Sequence, residues 1–140
     1  MPSFWGLMFL HQGELYMLST STEYGDLLIG RSTDGGKTFS PAEPTGWGGM
    51  PPHLYVTRRG EVIASYGYRE CDMGVRVRIS RDNGNTWSEE FILRGDGLDW
   101  DLGYPTTTEN ARGELVTVYY MKDKNSRFEN RICYTVWTLE

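Results

Sequence analysis

At 140 residues with a formal net charge of −5, the chain is long enough to bury one core, and its acidic balance argues against a general nucleic-acid binder, which needs a basic face to neutralise phosphate. Its 17 glycines and 14% aromatic residues favour an all-β protein of short strands and tight turns. Two cysteines, Cys71 and Cys133, give neither a disulfide framework nor a C-x-x-C pair and read as buried or idle thiols.

In chain order, the first ten residues carry no basic leader, and their apolar run stops at Leu10 before His11-Gln12-Gly13. No secretion signal or membrane span is visible, which points to the cytoplasm. Gly13-Glu14 then opens a threefold repeat, because Gly60-Glu61 and Gly113-Glu114 follow at roughly 50-residue spacing, each after an extended segment and before an apolar run. Each Gly-Glu reads as a turn between strands. The repeat predicts first strands over 5–10, 53–57 and 106–109, second strands over 15–19, 62–66 and 115–120, and third strands over 26–31, 75–80 and 131–138. No stretch carries a helical period.

Behind the third strands of the first two repeats stands one template, S-x-D-x-G-x-T-aromatic, filled by Ser32, Asp34, Gly36, Thr38 and Phe39 and again by Ser80, Asp82, Gly84, Thr86 and Trp87. As a hairpin it is mechanical. The Asp carboxylate accepts backbone N–H bonds across its own turn, the Gly supplies a positive φ, and the Thr and aromatic start a return strand, expected over 38–42 and 86–93. The third repeat ends after its third strand, without a template or a return strand. Eleven strands result where three four-stranded units need twelve.

The two templates are Asp-boxes, and the chain resembles part of a sialidase-like β-propeller, the BNR-repeat proteins. The resemblance implies three blades of four antiparallel strands over 4–45, 50–94 and 103–140, half of a six-bladed ring with an incomplete last blade. It also implies that the Asp-boxes are structural and lie on outer turns. Pro52-His53 before an inner strand, the turn Tyr66-Gly67-Tyr68-Arg69, and Asp101-Leu102-Gly103-Tyr104-Pro105 followed by Val116 to Tyr120 resemble the C-terminal half of that family.

The resemblance implies a channel that acts on or binds a carbohydrate. Sialidases hold a carboxylate with arginines, whose forks pair with it in a bidentate way, and use a tyrosine nucleophile activated by a glutamate. By position, Tyr104 is the nucleophile, with packing against Pro105 as the structural alternative. Glu70 is the activating carboxylate, or else a surface partner of Arg76 or Arg78; Asp101 is a base or an orienter of Arg69. Arg69 binds an anionic sugar group, with Tyr68 beside it, or pairs with Asp99 or Asp101. His53 meets a sugar hydroxyl or is a satisfied structural histidine. Arg76 shares a strand face with Arg78 and is either a substrate residue or solvated. Trp5, Trp47, Trp100 and Trp137 are sugar-stacking or core residues.

The family's Arg-Ile-Pro motif and acid/base aspartate are not recognisable here. Two readings follow: a sialidase-type glycoside hydrolase or the half of one, and a non-catalytic propeller that binds carbohydrate or protein. The carboxylates Asp96, Asp99 and Asp101 lack Ca²⁺-loop spacing, so no metal and no cofactor is expected. A homodimer that closes the ring is the expected assembly, with no nucleic-acid or membrane partner.

Overall fold

The computed structural model describes residues 4–22, 26–126 and 128–139. The first three residues, read above for a leader, and Glu140 lie outside the described residues, as do 23–25 and 127 within two loops. The described chain is all-β, with eleven strands: β1 (Phe4–His11), β2 (Glu14–Thr20), β3 (Asp26–Ser32), β4 (Glu43–Gly48), β5 (Pro52–Val56), β6 (Val62–Tyr68), β7 (Gly74–Ser80), β8 (Phe91–Arg94), β9 (Gly103–Glu109), β10 (Leu115–Met121) and β11 (Arg131–Trp137). They form three antiparallel sheets in simple meander order, β1-β2-β3-β4, β5-β6-β7-β8 and β9-β10-β11. Each sheet is one propeller blade, of four, four and three strands among the described residues.

The Gly-Glu turns fall where the repeat puts them. Gly13, Gly60 and Gly113 hold φ of 80°, 94° and 79°, the left-handed region that glycine enters without a Cβ penalty. Both Asp-boxes close in the same way. Ser32 Oγ donates to Asp34 Oδ1 at 2.8 Å and accepts the Gly36 amide at 2.9 Å, while Asp34 takes the Thr38 amide and hydroxyl at 2.9 and 2.6 Å. Ser80, Gly84, Asp82 and Thr86 repeat the pattern.

That closure moves the fourth strands later than the sequence predicts. Residues 38–42 are not strand: Thr38 is held by Asp34, and the Ser40 amide donates to the Arg31 carbonyl at 2.8 Å. The return strand therefore begins only at Glu43. In the second blade Thr86 is held by Asp82, and Ser88 exchanges bonds with Ile79 through its amide and its hydroxyl, so β8 starts at Phe91. The third first strand begins three residues before the expected 106, at Gly103.

The core lies in the seams between blades. In the first seam Leu18 packs with Leu54, Val62 and Ala64, flanked by Leu7, Phe9, Ile29, Trp47 and Trp87. Trp87 of the second Asp-box meets Trp47 edge-on at 4.9 Å between ring centroids. In the second seam Ile63, Val77 and Ile79 pack on Leu115, and Val75 packs with Leu102, Tyr119 and Met121. Burial of such side chains is worth roughly 1.5–3 kcal/mol each, so the seams tie the three blades into one body.

Candidate functional site

Three stretches far apart in sequence converge at one end of the second blade. They are Gly48 to Met50 after β4, Gly67 to Glu70 at the end of β6, and Trp100 before β9; together they line a cavity of about 310 Å³. Backbone fixes their approach. A Cβ on Gly67 would lie 2.6 Å from the Met50 carbonyl oxygen and 3.1 Å from Gly103 Cα, so only glycine lets the three segments close on one another.

Arg69 stands over this floor. Its Nη2 donates to the Leu102 carbonyl at 3.0 Å, its guanidinium lies 5.9 Å from the centre of the Trp100 ring, and its Nε is buried with no hydrogen-bond partner among the described residues. Neither aspartate proposed as its partner takes it. Asp99 binds Lys122 Nζ at 2.9 Å, and Asp101 accepts from the Tyr120 hydroxyl at 2.6 Å and from Asn130 at 2.7 Å. A buried N–H without an acceptor is costly, and the residue that carries it lines the cavity.

Beside the cavity Tyr104 is 49% exposed and stacks on Tyr120, with ring centroids 5.8 Å apart. No described residue makes a hydrogen bond to its hydroxyl. Glu70 lies instead on Tyr68, whose hydroxyl donates to it at 3.3 Å. Tyr120, the ring on which Tyr104 stacks, is itself bound to a carboxylate, that of Asp101. Burial, followed by the bond to Asp101, pushes its hydroxyl up to about 12, while the Tyr120 bond first and then Asn130 hold Asp101 below the usual carboxylate range. The pair is thus a protonated tyrosine donating to an ionised aspartate.

His53 and Arg76 lie elsewhere and are engaged. His53 Nδ1 accepts the Thr107 amide at 3.3 Å across the seam to the third blade. Burial lowers its pKa, which keeps the imidazole neutral and able to accept there. Thr107 continues the tie through Ser65 and Thr117. Arg76, expected as a substrate residue or a solvated one, is only 2% exposed; it pairs with Glu90 at 3.3 Å, donates to the Arg94 carbonyl at 2.6 Å and lies over Tyr68 at 4.6 Å. It does share a face with Arg78, which binds the Tyr66 hydroxyl and the Ser88 carbonyl. Glu70 pairs with neither arginine.

Of the four tryptophans singled out, Trp100 lines the cavity, Trp47 packs in the first seam, and Trp137 packs in the second and donates to Thr117 Oγ1 at 3.0 Å. Trp5 lies on β1. Asp96 pairs with Arg94, and among the described residues no three His, Cys, Asp or Glu side chains gather as a metal site. Cys71 is exposed and Cys133 half-buried, both free thiols. Sequence reasoning missed Tyr120 as the partner of Asp101. The signal was the Tyr119-Tyr120 pair, whose alternation sends Tyr119 into the seam and Tyr120 to the other face.

The Asp-box aspartates Asp34 and Asp82 belong to turns far along the sequence from these groups, and their carboxylates are saturated by their own Thr and Ser residues. No protein-family model matches the chain, and the comparison with curated proteins finds no match. A solved crystal structure of a protein of unknown function from Dyadobacter fermentans DSM 18053 is similar to it, with a TM-score of 0.85 and 28% identity over 96% of this chain. The chain spans 38% of that protein's length.

Proposed function

We propose that this chain is a sialidase-like propeller unit whose cavity binds the carboxylate of an acidic sugar. The carrying observation is Arg69, which lines the 310 Å³ cavity and has no carboxylate partner among the described residues, while its buried Nε has no acceptor. A carboxylate is the acceptor that a guanidinium fork pairs with in two parallel bonds. Trp100 and Tyr68 line the same space and add aromatic surface to it. The resemblance in Tyr68-Arg69 and Asp101 to Pro105 supports the same class of ligand.

Binding is favoured over hydrolysis. No described residue makes a hydrogen bond to the Tyr104 hydroxyl, and Tyr120, on which it stacks, donates to Asp101 and stays protonated at neutral pH. A phenol held in that state is no nucleophile.

Calorimetric titration with a free sialic acid, its methyl ester and a neutral hexose tests the reading. The acid binds and the ester and hexose do not. Arg69→Lys and Arg69→Ala weaken the acid by about 10- to 100-fold, the loss of a charge-assisted hydrogen bond worth about 1.5–3 kcal/mol. Equal affinity for acid and ester, or an unchanged Arg69→Ala variant, overturns it. Turnover of an aryl sialoside that disappears in Tyr104→Phe establishes the hydrolase instead.

A further inference from the structure

Arg69 and Glu70 are neighbours in the chain, carry opposite charges and line the same cavity, yet their charged groups go to different walls of it. The Arg69 guanidinium donates to the Leu102 carbonyl at 3.0 Å and stands 5.9 Å from the centre of the Trp100 ring, on the segment that leads into the third blade. The Glu70 carboxylate turns toward the first blade: a Cβ on Gly48, the last residue of β4, would lie 3.9 Å from Glu70 Oε1. Both residues follow β6 of the middle blade, whose two neighbours supply the walls.

Among the described residues neither charge is neutralised where it stands. Arg69 meets no carboxylate, and its buried Nε has no acceptor. Glu70 meets no lysine or arginine and accepts from the Tyr68 hydroxyl at 3.3 Å. Arg76, which lies over the Tyr68 ring, is spent on Glu90 and on the carbonyls of Asp72 and Arg94. An ionised carboxylate only accepts, and its strongest partners are charged donors. Glu70 therefore disfavours a ligand that brings a negative charge alone and favours one that brings a cation with it. A few charged groups at set positions of this kind fix both the orientation and the choice of a small ligand.

We propose that the cavity selects an acidic sugar that also carries a free amino group, with its carboxylate on Arg69 and its ammonium on Glu70. The proposal rests on the acid-binding reading above and adds a second charge to it, which makes Glu70 the residue that determines specificity. An ammonium brings three N–H donors and a full positive charge to the Glu70 carboxylate. An acetylated amine or a hydroxyl in its place brings a neutral donor and leaves that carboxylate uncompensated. The zwitterion satisfies both walls of the cavity, and the plain acid only one.

The test is calorimetric titration with two matched pairs: the methyl glycosides of neuraminic and N-acetylneuraminic acid, and glucosaminuronic acid with its N-acetyl form. Within a pair only the charge on the amine differs; between pairs its separation from the carboxylate differs. In at least one pair the free amine binds about 5- to 20-fold tighter. Because Glu70 is exposed, that preference shrinks at high salt. Glu70→Gln weakens the amine and strengthens the acetylated form, so the two affinities converge, while Glu70→Asp keeps the order. Arg69→Ala weakens both members of each pair. Equal affinities within both pairs, or a preference that survives in a Glu70→Gln variant with the circular dichroism of the wild type, overturns the proposal and leaves the carboxylate reading standing. Failure of all four acids to bind overturns the carboxylate reading and this proposal with it.

Discussion

Asp34 illustrates how far one side chain can be spoken for by its neighbours. Hydrogen bonds from the Thr38 hydroxyl and amide, then from Ser32, lower its pKa from 3.8 to about 2. Asp82 is lowered by the matching bonds from Thr86 and Ser80. The folded pKa lies below the unfolded one, so the contribution to stability is complete above the ordinary carboxylate value and is lost as the pH falls toward 2. Acid titration of the melting temperature is expected to drop steeply between pH 4 and 2. Asp34→Asn lowers the melting temperature at neutral pH and flattens that limb; an Asn variant with the wild-type acid profile would refute the role. These turns were fully legible in the sequence, because every contact lies within seven residues. Arg69 was legible as a candidate, but its pairing was not, since Asp99 and Asp101 are claimed by Lys122, Tyr120 and Asn130 from the end of β10 onward.

At the scale of the strand, the sequence located all eleven elements but misplaced the starts of β4, β8 and β9. A Thr and an aromatic look like the first residues of a strand; in both boxes the Asp takes the Thr amide, so ladder pairing starts only after the turn is complete. His53 and Arg76 show the other limit. Their engagement is set by the third blade and, for Arg76, by Glu90 before β8 and Arg94 at its end, which no local pattern announces. Gly67 is the element-scale counterpart for the cavity. A methyl group there meets the Met50 carbonyl and the Gly103 backbone, and neither is a flexible side-chain tip. Gly67→Ala is therefore expected to cost about 1–3 kcal/mol as overpacking and to abolish acid binding, because β6 must part from the segments before β5 and β9. Denaturant unfolding checks the first effect and the titration above the second. A variant of wild-type stability would show that the three segments are not in contact.

Across the whole molecule, the blades meet through β1 and β2 on β5 and through β5, β6 and β7 on β9, so these joints lie between neighbours in the chain. Among the described residues, the third sheet ends on an unpaired edge. In the first two blades the third strand is flanked on both sides, by β2 and β4 or by β6 and β8, but β11 pairs with β10 alone. An antiparallel strand directs its amides alternately to either side, so every second amide of Arg131–Trp137 points away from the ladder. Deuterium labelling would read that edge directly. In the isolated sheet the alternate amides of β11 exchange at rates close to those of a free peptide while their neighbours are protected by β10. Slow exchange along the full length of β11 would mean that a twelfth strand, from any source, had been laid against it.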